Sequence, residues 1–300
     1  MKLRILLPAL AALTLTSLAL AAEKPTVTLH CARPLEPAST FELRFSETMV
    51  AADQIGQVAQ PSPAVFRPVV KGKFTWLSQR SGTFTPDAAL GLSTTYLLTL
   101  EPGLAKADGK PLGVTFQETV KTPSFELKGW NSGAARWEQD AAAEPKFSLL
   151  FNADVEAASV GAFCKFVNQA GQSVAARVEK ANPAKQEEHY FPHWRSKDRT
   201  LLTWTEGFQQ KRNGLDPAVL AARRNHLWVT PVQPLPAGDG WRLVVGAGLP
   251  AAEGRLRLLD STDARIGKIR PFEITAAEAT NYINGGRWLK MRFSKRSRRK

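Results

Sequence analysis

Phe41-Glu42-Leu43-Arg44-Phe45-Ser46-Glu47 sets an apolar side chain at every second position and then stops on a polar turn. That period is the signature of a half-buried β-strand, with Phe41, Leu43 and Phe45 on one face. The pattern returns twice, as Phe147-Ser148-Leu149-Leu150-Phe151-Asn152-Ala153-Asp154 and as Leu289-Lys290-Met291-Arg292-Phe293-Ser294-Lys295. Each copy ends Phe-Ser or Phe-Asn. Each also follows a shorter strand-like stretch, at residues 27–31, 125–127 and 272–275. The copies begin about 106 and 142 residues apart, which is the spacing of domains and not of solenoid repeats.

Working outward from the first copy, Thr26–Cys31 alternates, and prolines at 34 and 37 lead into the Phe41 strand. Residues 49–58 read as a loop or short helix, and Pro61, Pro63 and Pro68 mark turns. Residues 72–76 and 81–86 form a candidate strand pair, followed by the strong β-former run LSTTYLLTL (92–100). Asp108-Gly109-Lys110-Pro111 makes a turn, and residues 114–122 close the unit. Strands about ten residues apart predict an antiparallel sandwich. The second copy opens a similar series. It has a candidate strand at 124–127, a polar and aromatic middle at 187–199, a short helix or loop at 216–225, and later strands at 225–229, 240–245 and 255–259.

The chain therefore reads as all-β, with tandem antiparallel β-sandwiches. Residues 23–122 make the first domain and 123–271 the second, with an irregular insert. Residues 272–294 read as the start of a truncated third domain, and 295–300 as a basic tail. The alternative for 272–294 is a closing strand of the second domain, followed by a polybasic arm.

Residues 1–22 stand apart. Lys2 and Arg4 precede an apolar run from Ile5 to Leu20 and a small-residue site, Ala19-Leu20-Ala21, as in a cleavable secretory signal. The run is short and broken by Pro8, so a membrane anchor is disfavoured, and no later segment is apolar enough to span a bilayer. The expected location is secreted or periplasmic.

The formal charge of +13 is uneven. Two of those charges lie in the signal and five in the last six residues, leaving +6 for the body. No basic face interleaved with aromatics marks a nucleic-acid partner. Cys31 and Cys164 are the only cysteines, on strands of different domains. A bridge between two sandwich cores has poor geometry, so buried free thiols are expected.

Motifs for catalysis are missing. There is no Gly-x-Ser-x-Gly elbow, His-Glu-x-x-His or Walker loop. His189 and His193 have a metal-like spacing, but Pro192 lies between them and blocks a regular helix. Glu47, Asp53, Asp87, Asp108 and Asp154 lie near turns, where carboxylates usually cap their own backbone. The chain is expected to be non-enzymatic, with no cofactor and no metal. Trp76, Trp204, Trp228, Trp241 and Trp288 fall in apparent strands and are expected in cores. Trp130, Trp137 and Trp194 have polar surroundings, and Tyr190, Phe191 and Trp194 form the candidate contact patch.

Phe45-Ser-Glu-Thr-Met-Val, Val69-Val-Lys-Gly-Lys-Phe-Thr-Trp, Thr83-Phe-Thr-Pro, the Tyr96-centred strand and the turn at 107–112 together resemble the N-terminal part of bacterial alpha-2-macroglobulin-like proteins. The resemblance implies that the tandem antiparallel sandwiches are of the Ig-like or macroglobulin type, as in a protease trap built from strings of them, with an endopeptidase-inhibitor role. It also implies further macroglobulin-type domains, or proteases, as partners. The family's chemistry needs a Cys-Gly-x-Gln thioester and a bait region. His-Cys31-Ala and Phe-Cys164-Lys do not match the thioester, and no bait stretch is evident. A scaffold lacking the reactive parts is the expectation. The alternatives are a stand-alone module binding carbohydrate or a surface protein, and polyanion binding through the basic tail.

Overall fold

In the computed structural model of this chain, alternation becomes pairing. The structure describes residues 24–132, 143–181, 202–216, 218, 224–281 and 285–294, with 129–132 as backbone only. The signal segment, the tail at 295–300, Trp137, His189, His193 and the candidate patch Tyr190, Phe191 and Trp194 lie outside the described residues.

The first module has seven strands: β1 (Val27–His30), β2 (Phe41–Phe45), β3 (Ala64–Arg67), β4 (Gly72–Ser78), β5 (Ser81–Pro86), β6 (Thr95–Leu100) and β7 (Gln117–Lys121). They form two antiparallel sheets, ordered β1-β2-β5-β4 and β3-β6-β7. Phe41, Leu43 and Phe45 turn inward against Phe66, Phe74, Trp76, Phe84 and Leu98, which are all buried. Gly82 is fixed by this packing, because a side chain there would run into the Phe74 ring.

The second module contains β8 (Leu127–Ser132), β9 (Phe147–Phe151), α1 (Ala157–Phe163), β10 (Cys164–Val167) and β11 (Ser173–Lys180). It continues with α2 (Trp204–Asn213), β12 (His226–Pro231), β13 (Gly238–Val245) and β14 (Thr262–Ile269). Its strands run in the order β14-β13-β10-β11-β12-β9-β8. β11 is the corner of this sheet. Its residues Ser173–Ala175 pair with β10, and Ala176–Lys180 pair with β12. The core holds Phe147, Leu149, Phe151, Phe166, Leu227, Val229, Trp241 and Leu243. β9 is buried along its whole length, Ser148 included, so its outer-face position Leu150 is apolar as well.

β15 (Ile274–Asn281) and β16 (Arg287–Phe293) pair only with each other. Residues 272–294 are thus not a closing strand of the second sheet among the described residues. The chain is all-β in tandem antiparallel sandwich modules.

Several local expectations are corrected. Residues 124–126 precede the strand that begins at Leu127, because the Phe125 N–H is bonded to Ser93 of the first module while Ser124 O and the Glu126 backbone are bonded to Asn152. Residues 255–259 form no strand, since Gly254 turns the chain at φ 74° and only one isolated bridge follows, Pro250 to Arg257. Trp204 lies in the first turn of a helix and not in a strand. Trp288 lies on β16 but is 66% exposed, because among the described residues the hairpin's strands pair only with each other.

Candidate interaction sites

The residue after each repeated strand makes one and the same clasp. The backbone N–H of Thr26 donates to Ser46 Oγ at 2.9 Å, and the Ser46 N–H returns a bond to Thr26 O at 3.0 Å. In the second copy the Glu126 N–H donates to Asn152 Oδ1 at 2.9 Å, and the Asn152 N–H donates to Glu126 O at 3.2 Å. In the third the Glu273 N–H donates to Ser294 Oγ at 3.0 Å, and the Ser294 N–H donates to Glu273 O at 2.9 Å. A short side chain with an acceptor oxygen closes the open end of a two-strand ladder. This is the physical reason for Phe-Ser and Phe-Asn.

Around the second clasp the two modules interlock. The Thr122 hydroxyl donates to Gly91 O at 2.6 Å and accepts the Thr94 N–H at 2.9 Å. The Ser93 N–H donates to Pro123 O at 2.8 Å, while Ser93 Oγ accepts the Phe125 N–H at 3.0 Å. Ser93 adopts φ 54°, a left-handed conformation unusual for a side-chain-bearing residue. Asn152 Nδ2 donates to Ser124 O at 2.8 Å. The linker is therefore bonded on both sides.

Helix α2 completes this elbow. Thr203 and Glu206 form a reciprocal capping box, with the Glu206 N–H on Thr203 Oγ1 at 3.2 Å and the Thr203 N–H on Glu206 Oε2 at 2.7 Å. Gly214 ends the helix in a positive-φ conformation. The Trp204 backbone N–H donates to Asn152 O at 2.8 Å, and its indole Nε1–H donates to Leu90 O at 2.7 Å. The Trp204 ring is buried within the first module's core, although its helix belongs to the second module's sequence. Gly207 lies over Pro37, where an added Cβ would fall 2.9 Å from Pro37 Cγ. Lys211 and Glu36 form an ion pair across the same junction.

Beside α2 runs a cleft of about 790 Å³, with Leu92, Asp154, Glu156, Trp204, Arg224 and Glu253 on its walls. Arg224 bonds Glu156 at 2.9 Å and approaches Asp154 at 3.8 Å, so these two carboxylates face a guanidinium. No group of three metal-ligating side chains occurs among the described residues. Ser148 Oγ and His226 Nε2 lie 2.7 Å apart, a pairing that their 78-residue separation hides from sequence reading. Ser148 is only 1% exposed and His226 is half-buried, and the bond joins β9 to β12. Asp108 accepts the Lys110 N–H, which holds its carboxyl below the ordinary range. That is the turn-capping role expected of it.

Both cysteines are free thiols. Cys164 is buried as expected, and burial pushes its pKa up to about 12. Cys31 is only half-buried, because it sits one residue beyond β1 at the sheet's end. Trp76 and Trp241 are core residues, while Trp228 is half-buried under Lys146 Nζ at 4.1 Å.

The third site is the β15–β16 hairpin. Leu289, Met291 and Phe293 are 64%, 45% and 42% exposed, whereas their counterparts on β2 and β9 are buried.

With this geometry in hand, the first module can be set against known families. Residues 12–124 match the bacterial Ig-like domain family. The match covers the first module's strands and ends at the elbow. No curated protein matches the chain. Among solved structures, native alpha-2-macroglobulin from Escherichia coli, spanning domains MG0-NIE-MG1, aligns at 13% identity. The alignment covers 88% of this chain and 76% of that one, with a TM-score of 0.25. The module that carries the Ig-like match is followed by the second sandwich, whose helix α2 places Trp204 in the first module's core. Among the described residues no helix is long and apolar enough to cross a membrane.

Proposed function

We propose that this chain is a non-catalytic scaffold in an exported assembly of sandwiches of the alpha-2-macroglobulin type. It acts by holding two modules in one fixed relation and by offering surfaces to further sandwich modules or to a protease. The observation that carries this reading is the insertion of Trp204 into the first module's core. Flexible tandem domains make polar, modest contacts. A buried indole with its N–H satisfied across the junction is instead how a rigid joint is made. The signal-like residues 1–22 and the Ig-like match support export.

Small-angle scattering tests the rigid joint. The protein should give the scattering of one compact two-module body, and Trp204→Ala together with Gly207→Glu should broaden its distance distribution. Equal profiles for the protein and the double variant would contradict the scaffold reading.

A further inference from the structure

The outer face of the second sheet carries a line of cations that no contact within the described residues neutralises. Trp241, Leu243 and Val245 of β13 are buried, so alternation turns Arg242 and Val244 outward. On β14 the same rule turns Asp263 and Arg265 outward, on either side of the buried Ala264. Register then sets Arg242 directly opposite Arg265. On β10 the exposed Lys165 pairs with Val244, two residues along from Arg242. Lys165 also pairs with Ala175 of β11, and Arg177 lies two residues further on that strand. Given the strand order β14-β13-β10-β11, Arg265, Arg242, Lys165 and Arg177 form one diagonal across the sheet. At ordinary strand spacing it is roughly 20 Å long.

All four are exposed, and none makes an ion pair or side-chain hydrogen bond among the described residues. Their cross-strand partners are Val167, Val244, Ala175, Thr230 and, for the two arginines Arg242 and Arg265, each other; no carboxylate is among them. The carboxylates of this face flank the line. Asp263 lies two residues from Arg265, opposite Val244, and Glu179 lies two residues beyond Arg177, opposite Trp228. Asp239 is bonded to Lys268 at 3.0 Å. Like charges directly opposite destabilise a sheet. The Arg242–Arg265 pair is thus a cost to folding that an oxyanion held between two guanidinium forks would remove.

We propose that this diagonal binds an acidic polysaccharide, whose sulfate or carboxylate groups meet the cations one after another. A single anion on so open a face gains little against water, whereas anions strung along one thread gain at every cation. A protein partner fits less well, because the outward neighbours Val167, Val244 and Ala175 are too small to make an apolar anchor. Nucleic acid fits less well too. No aromatic side chain lies on the diagonal to stack a base, and Trp228 already has Lys146 Nζ over its ring at 4.1 Å. The site goes beyond the scaffold reading and depends on neither the joint nor the hairpin.

The probe is a heparin hexasaccharide, titrated calorimetrically into the intact protein at several salt concentrations. Its comparators are neutral maltohexaose and thymidylate and glutamate oligomers of equal charge. Heparin should bind most tightly and maltohexaose not at all. Arg242→Thr with Arg265→Thr should weaken heparin binding about tenfold. The same pair should lower the slope of log K against log salt by about 1–2. The double variant should be no less stable to urea, since it removes a like-charge pair. Asp263→Asn should strengthen binding about twofold to threefold, a gain that binding through residues 295–300 alone does not predict. Deleting those six residues should lower affinity by one factor in the protein and in the double variant. Equal heparin affinity in the protein and the double variant would overturn the proposal, as would no gain from Asp263→Asn. Thymidylate or glutamate binding as tight as heparin's would overturn the choice of polysaccharide. If the double variant fails to fold, Asp263→Asn decides the matter by itself.

Discussion

Asn152 bonds the backbone of Glu126 and Ser124 through its two amide atoms and is itself buried, whereas Ser46 and Ser294 make their clasps nearer solvent. Truncating Asn152 strands an N–H and a carbonyl at the elbow. Asn152→Ala should therefore cost about 2–4 kcal/mol, against about 1 kcal/mol for Ser46→Ala, because stranded buried groups cost more than a lost exposed bond. Urea unfolding of the two variants measures the difference, and equal losses would refute the argument. The cysteines give a second prediction at this scale. Cys31 should react with an aromatic disulfide reagent in the native protein, and Cys164 should react only on unfolding. Burial raises the folded pKa of Cys164 from 9.0 to about 12. Its contribution to stability is thus complete below pH 9 and is lost as pH rises through about 12. Replacing it with Ala should flatten that alkaline loss in a pH series of unfolding free energies. The repeated Ser and Asn were legible as a pattern, but their role was not, since the partners lie 20 to 26 residues upstream.

At the scale of elements, the strands were readable because period-two burial leaves its mark directly on the sequence. Helix α2 was not. Leu201-Leu202-Thr203-Trp204 looks like β-sequence, and the apolar face of α2 is narrow, with Trp204 and Phe208 its buried apolar residues. One local signal was present: Thr203-x-x-Glu206 is a capping box, and Gly214 lies where a helix should stop. Thr203→Ala should lower stability by about 1 kcal/mol. The loss should appear as faster amide exchange in α2 and at Glu36 and Ser39, whose amides are bonded beside the Pro37 contact. A change confined to α2 would show that the helix is not coupled to the first module. The corner at β11 was hidden for a different reason. Which half of a strand pairs with which neighbour depends on sheet curvature, and no single-strand pattern encodes that.

For the whole molecule, composition and turn spacing already pointed to tandem sandwiches, and the structure and the bacterial Ig-like match agree with them. The joint between modules could not be read this way. Trp204 is 114 residues from Leu90, and nothing near Trp204 in sequence says whose core it enters. Sequence reading gave contact roles to Tyr190, Phe191 and Trp194, which lie outside the described residues. It missed the tryptophan that crosses between modules, having assigned it to a strand. The hairpin is the converse case. Its alternation predicts burial, yet its apolar face is open, so pattern alone reports what a strand needs and not whether that need is met. The central claim is that the first module's core is completed by a residue from the second. Trp204→Ala should cost about 3–5 kcal/mol. Residue-resolved hydrogen exchange on the intact protein should show that cost at Phe41–Phe45 and Tyr96–Leu98, all in the first module. Faster exchange confined to residues 127–269, with the first module's amides unchanged, would contradict the account.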